Sequence, residues 1–245
     1  MGSLKPLRKI SVVRPVDRLT TGQKTGGMRS ARRVARYPLS TCVLLVVVGL
    51  GAWTTGRPQR LGELKRTFGF GWSDLVALRL YRLPTAIFIQ TEPGIRGTIG
   101  LLLIFIPLAE WRLGSIRATI VLFLGDWIST VTVLCGLRLL AAAHRQWALV
   151  ESVARDGGTS SAVHALAAAA ILTIPAKRTR RVLGSLMVLE VVGLMIVRPE
   201  LFDVQHGLAS LAGWALGASF VRADRADRAD LASRADRADR ATSRE

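Results

Sequence analysis

Residues 37–56, YPLSTCVLLVVVGLGAWTTG, contain no charged side chain. A run of this length matches the roughly 20 apolar residues that a helix needs to cross the hydrocarbon core of a bilayer. The preceding 36 residues carry ten Lys or Arg (Lys5, Arg8, Lys9, Arg14, Arg18, Lys24, Arg29, Arg32, Arg33 and Arg36) against Asp17 alone, with no apolar periodicity. So long a basic lead with no Ala-x-Ala site after the apolar run argues for a retained signal anchor over a cleaved signal peptide. Basic loops stay on the cytoplasmic side. Residues 1–36 are therefore expected to be a disordered cytosolic tail, and the first helix to emerge on the outer face of the cell membrane.

Composition supports the same class. Half of the 245 residues are hydrophobic and the mean hydropathy is +0.33, with the apolar residues clustered, so lipid is the expected solvent and partner. In a soluble protein a net charge of +17 would suggest nucleic acid, but here the basic residues flank apolar runs and form no aromatic-studded basic face. No nucleic-acid partner is expected. Cys42 and Cys135 both lie in apolar runs and read as small core residues. There is no cysteine or histidine cluster with metal-ligand spacing and no phosphate-binding glycine loop, so neither metal nor cofactor is implied.

Further apolar stretches occupy 97–109, 118–137 (interrupted by Asp126), 157–176 (containing His164), 182–197 (containing Glu190) and 204–221. The predicted fold is all-α, a polytopic bundle of six transmembrane helices over 37–221. The 97–109 run is too short to cross unless it borrows from Ile95 or from Glu110–Gly114. Residues 57–96 form a long outer segment, interfacial and amphipathic in character around Trp72 and Tyr81. The basic turn Lys177–Arg181, together with Arg112 and Arg117, falls inside, in agreement with the amino-terminal assignment. Residues 222–245 repeat Arg-Ala-Asp five times; pairs such as Asp224 with Arg228 would support a solvated helical tail on the cytosolic side.

Two stretches share depth and direction. Gly158-Thr159-Ser160-Ser161 opens the fourth helix and His206 opens the sixth, and both helices run from outside to inside. Small residues recur every fourth position, at Gly157, Ser161, Ala165 and Ala169 on one and at Ala209, Gly213 and Gly217 on the other, a pattern that permits close backbone approach in lipid. A close crossing would bring the His206 imidazole to the Ser160 hydroxyl.

At these residues the chain resembles the rhomboid family of intramembrane serine proteases. Gly158-Thr159-Ser160-Ser161 is similar to the family's Gly-x-Ser-Gly motif, and His206, Ala209 and Gly213 follow its His-x-x-Gly-x-x-x-Gly helix, with Ala for the first Gly. Glu110-Trp111-Arg112-Leu113-Gly114-Ser115-Ile116-Arg117 is similar to its Glu-x-x-x-Gly-Ser-x-Arg turn, and Arg82-Leu83-Pro84-Thr85-Ala86-Ile87-Phe88 to the stretch before the second helix. The resemblance covers about residues 80–220. It implies a dyad in which His206 takes the proton from Ser160 and the alkoxide attacks a membrane-anchored protein substrate near the outer face, with Gly158 and Ser161 beside the nucleophile supporting the oxyanion. Where the family has an oxyanion-holding His and Asn this chain has Gly94 and Thr98, and Ser161 replaces a Gly. A second reading is therefore a catalytically inactive relative that binds transmembrane partners in the same groove.

Bland roles stand beside these. Ser160 or Thr159 would serve as an N-cap, His206 as a solvated helix-end residue, and His164 as a buried structural histidine. Asp126 and Glu190 are costly inside spanning helices unless paired, protonated or facing water. Pairing with neighbouring helices, Glu190 with His164 in particular, would explain them. A third reading makes them the proton or ion path of a small transporter.

Overall fold

The computed structural model describes residues 37–90, 95–155, 157–197 and 201–242. The tail expected at 1–36 and the position of Gly94 lie outside the described residues, as does the side chain of Thr98. Every regular element among the described residues is an α-helix: α1 (Pro38–Thr54), α2 (Pro58–Phe68), α3 (Trp72–Val76), α4 (Arg82–Ala86), α5 (Ile95–Leu113), α6 (Ser115–Ala142), α7 (Gln146–Val153), α8 (Ser160–Leu172), α9 (Lys177–Val197) and α10 (Leu201–Thr242). By length and composition α6 is long and apolar enough to cross a membrane, and α1 and α8 are shorter apolar helices.

The bundle is built around α8. All ten residues from Ser161 to Ala170 are buried, so this helix shows no polar face. It packs most extensively on α10, then on α6 and α5, with α9 more loosely attached and α1 lying outside α5 and α6. Its alanines and the glycines opposite make this possible. A Cβ on Gly213 would lie 2.1 Å from the Ala165 carbonyl oxygen, one on Gly217 2.9 Å from Ala169 Cα, and one on Gly125 of α6 2.3 Å from Ala165 Cβ. Because the contacts advance by four residues on both helices, α8 and α10 run parallel. Elsewhere the surface is apolar: Leu186, Leu189, Ile196 and Val197 on α9 and Leu103, Ile104 and Trp111 on α5 are all exposed.

Several boundaries differ from the sequence expectation. The second long helix takes residues at both ends, from Ile95 and through Leu113, and so reaches 19 residues. The fourth is only 13 residues long, not the 20 of the 157–176 run. Gly157 and Gly158 precede it, and Pro175 keeps the residue before it out of helical geometry. Lys177–Arg181, expected as a turn, is the first turn of α9. Past Val221 nothing breaks the helix, so the Arg-Ala-Asp repeat extends α10 without interruption to Thr242. In that extension Asp224 turns to Arg117 at the start of α6, with two contacts of 2.7 and 3.0 Å. Cys42 and Cys135 are free and exposed, not core residues; in a bundle with an apolar exterior, an apolar neighbourhood in sequence does not mark the inside.

The segment between α1 and α5 is ordered by one carboxylate. Asp74, fully buried, is reached by Arg155 at 2.9 Å, Arg82 at 3.1 Å and Arg79 at 3.7 Å. Arg82 and Arg155 also donate to the Arg66 carbonyl, which fastens α2 to the same cluster. Asp74→Ala should lower stability by about 2 kcal/mol, below the range for a fully buried pair because the arginines can turn to water. Thermal unfolding in detergent micelles measures it, and an unchanged midpoint would show the cluster to be a solvated surface network.

Candidate functional site

The start of α8 is held by the segment that precedes α5. The Gly157 backbone lies so close to Ala86 that a Cβ would come within 2.5 Å of the Ala86 carbonyl oxygen. That carbonyl accepts the Gly158 N–H at 3.2 Å. Gln90 Nε2 donates to the Thr159 hydroxyl at 2.7 Å, and Thr159 is completely buried. Thr159 occupies the N-cap position without a side-chain capping bond, so the capping role considered for Thr159 and Ser160 is not the one found. Ser160 is the first residue of the helix, half-buried, and its hydroxyl forms no hydrogen bond among the described residues. The first-turn N–H groups beside it have no intrahelical acceptor.

His206 lies five residues into α10, deeper than a helix-opening residue, because that helix begins at Leu201. Its neighbour Gln205 donates to the Thr130 hydroxyl of α6 at 2.9 Å. The His206 ring stacks on that of His164, with centroids 4.3 Å apart and planes 10° from parallel. His164 in turn places Nδ1 2.8 Å from the Ser160 carbonyl oxygen. The structure thus brings Ser160, His164 and His206 to one end of the α8–α10 crossing, with no hydrogen bond between the Ser160 hydroxyl and His206. His206 Nδ1 is buried without a hydrogen-bond partner among the described residues.

The two carboxyls inside the apolar runs meet α8 from different helices. Asp126 of α6 accepts a hydrogen bond from the Ser161 hydroxyl, which commits Ser161 to the interface between α6 and α8. Glu190 of α9 places Oε1 3.7 Å from His164 Nε2 and remains 51% exposed. Glu190 and His164 line a cavity of about 410 Å³ between α5, α8 and α9, together with Phe105, Trp111, Arg112 and Met187. Asp126 does not line it. Ala209, Gly213 and Gly217 form the α10 side of the crossing, where Ala209 is fully buried.

The ring stack, the Gln90–Thr159 bond and the Gln205–Thr130 bond were not foreseen. Gln90 and Gln205 are unremarkable in sequence, since each bonds a hydroxyl some seventy residues away. A weak signal for the stack was present: His164 follows Ser160 by four residues and therefore shares its helix face. No family model, curated protein or solved structure matches the chain.

Proposed function

We propose that the chain is a rhomboid-like, multi-pass protein of the cell membrane, with α1, α5, α6, α8, α9 and α10 as its six spans, both termini cytoplasmic, and a Ser160–His206 dyad that cleaves membrane-anchored proteins. One observation carries the reading: His206 is stacked on a ring that is bonded to the backbone of Ser160 itself. The apolar exterior supports the bilayer as solvent, because soluble monomers rarely expose apolar surface this continuously. The length of α8 fits as well. Thirteen residues rise about 20 Å, less than the ~30 Å hydrocarbon core, so a helix buried on all sides starts partway into the membrane and its first turn needs a wet recess.

In that recess His206 takes the Ser160 proton as the oxygen adds to the scissile carbonyl. First-turn N–H groups of α8 receive the oxyanion, assisted by the positive end of the helix dipole. His206 then gives its proton to the leaving amine, and water releases the acyl group by the same route.

The unmade Ser160–His206 hydrogen bond and the engagement of Ser161 by Asp126 favour a second reading, a protein that binds transmembrane clients in the same place without cutting them. Labelling of the full chain with a fluorophosphonate probe separates the two. Ser160→Ala and His206→Ala should each abolish labelling under the protease reading. Equal labelling of both variants and the parent protein would remove it.

A further inference from the structure

The cavity between α5, α8 and α9 is apolar along most of its length and basic at one end. Its α5 wall runs from Leu101 to Arg112, a rise of about 16 Å at 1.5 Å per residue. On α9 the wall includes Leu183, Met187 and Glu190. Arg180 precedes Leu183 by three residues and so continues that helix face one turn toward the start of α9. Its Nη1 donates to the carbonyl oxygen of Ile174, another wall residue, at 3.3 Å, which sets the guanidinium at the mouth. Arg112, in the last turn of α5, lies at the same end, with its guanidinium 4.9 Å from the centre of the Trp111 ring. Neither arginine pairs with a carboxylate among the described residues. Glu110 is turned to the start of α1, and Asp224 to Arg117. Lys177, Arg178 and Arg181 are exposed at the start of α9 and add to the positive charge there.

A concave apolar site with a few polar groups at one end is the usual form of a small-molecule pocket. Here those groups are cations. Under the proposed topology they lie at the cytoplasmic surface, where anionic lipids attract basic side chains and where basic pockets between transmembrane helices take lipid head groups. A client helix would match the apolar wall and leave the arginines without a counter-ion. A phospholipid of net negative charge satisfies wall and mouth together. Glu190 does not oppose it, because that carboxylate is half-exposed and stands seven residues beyond Leu183, about 10 Å further along α9.

We propose that an anionic phospholipid of the cytoplasmic leaflet occupies this cavity, with its head group on Arg112 and Arg180 and an acyl chain against Phe105 and Met187. The site rests on the bilayer reading and its topology, and is independent of whether the protein cleaves anything.

The test uses the full chain in phosphatidylcholine nanodiscs that carry a trace of phosphatidylglycerol with a photoreactive diazirine on one acyl chain. Crosslinked residues are mapped by mass spectrometry and compared with those from a phosphatidylcholine probe bearing the same chain. Phosphatidylglycerol should label Phe105 and Met187 in excess over phosphatidylcholine. At about fivefold per basic side chain, Arg112→Gln with Arg180→Gln should weaken that labelling by about 25-fold. Arg112→Lys with Arg180→Lys should keep most of it, and Arg57→Gln with Arg60→Gln, at the other face, should leave it unchanged. Equal labelling by the two probes, or an excess that survives the double Gln variant, overturns the site. So does labelling confined to the start of α9, which would mean attraction to the surface alone. Loss of all lipid labelling from Phe105 and Met187 when a transmembrane peptide is added, with no excess for phosphatidylglycerol beforehand, would assign the cavity to a client helix instead. A chain that does not enter the nanodiscs removes the bilayer reading itself, whereas one that enters and shows no excess removes the lipid site and leaves that reading in place.

Discussion

Gly213→Val is expected to cost about 3 kcal/mol, the upper part of the range for overpacking a core, and to abolish probe labelling at Ser160. The added Cβ alone would lie 2.1 Å from the Ala165 carbonyl oxygen and 2.7 Å from its carbonyl carbon and Cα. Those are backbone atoms of a helix buried on every side, so no rotamer change relieves the clash. The two helices must separate or slide, and His206 rides on the one that moves. Ala165 cannot retreat, because Gly125 of α6 is already against its methyl group. Gly184→Ala on α9 is the control: nothing lies within 4 Å of a Cβ there, and replacing a mid-helix glycine should be neutral or stabilise by up to about 1 kcal/mol. Unfolding in mixed micelles reads both. If Gly213→Val retains parent stability and labelling, the tight α8–α10 crossing is not what holds the site together.

That crossing is legible in the sequence. Small residues at Ala165 and Ala169 and at Gly213 and Gly217, in helices of the same predicted direction, specify both which faces meet and that they run parallel, because only those faces permit such close approach. Helix ends were less legible. The expected 157–176 span took its bounds from hydropathy, which is insensitive to the Gly157-Gly158 pair and to Pro175, and those backbone constraints shorten α8 at both ends. Charge misled in the opposite sense at the carboxyl end. The Arg-Ala-Asp repeat looks like a separate tail, yet it holds neither proline nor glycine after Gly217, so α10 continues. Side-chain partnerships across helices were the hardest to read. Glu190 with His164 could be weighed from depth, whereas the stacking of His164 on His206 depends on the rotation of two helices about their axes, which the apolar exterior does not fix in sequence.

Glu110→Ala should destabilise the fold by about 3 kcal/mol through loss of a single acceptor that serves four donors. The carboxylate accepts the Leu39 amide at 2.9 Å, the Ser40 amide at 2.8 Å, the Ser115 hydroxyl at 2.6 Å and the Ser40 hydroxyl. The two amides are free donors in the first turn of α1, which has no side-chain cap from its own N-cap residue. Losing a cap costs about 1 kcal/mol, and each buried hydroxyl left without its acceptor adds roughly 1 kcal/mol or more. The same group bears the weight of the turn into α6, where Gly114 takes φ +79°, a conformation that glycine adopts without penalty. Unfolding in mixed micelles measures the loss. Glu110→Gln keeps one acceptor oxygen and should lose less than Glu110→Ala; a Glu110→Ala protein as stable as its parent would show that α1 is held without this acceptor.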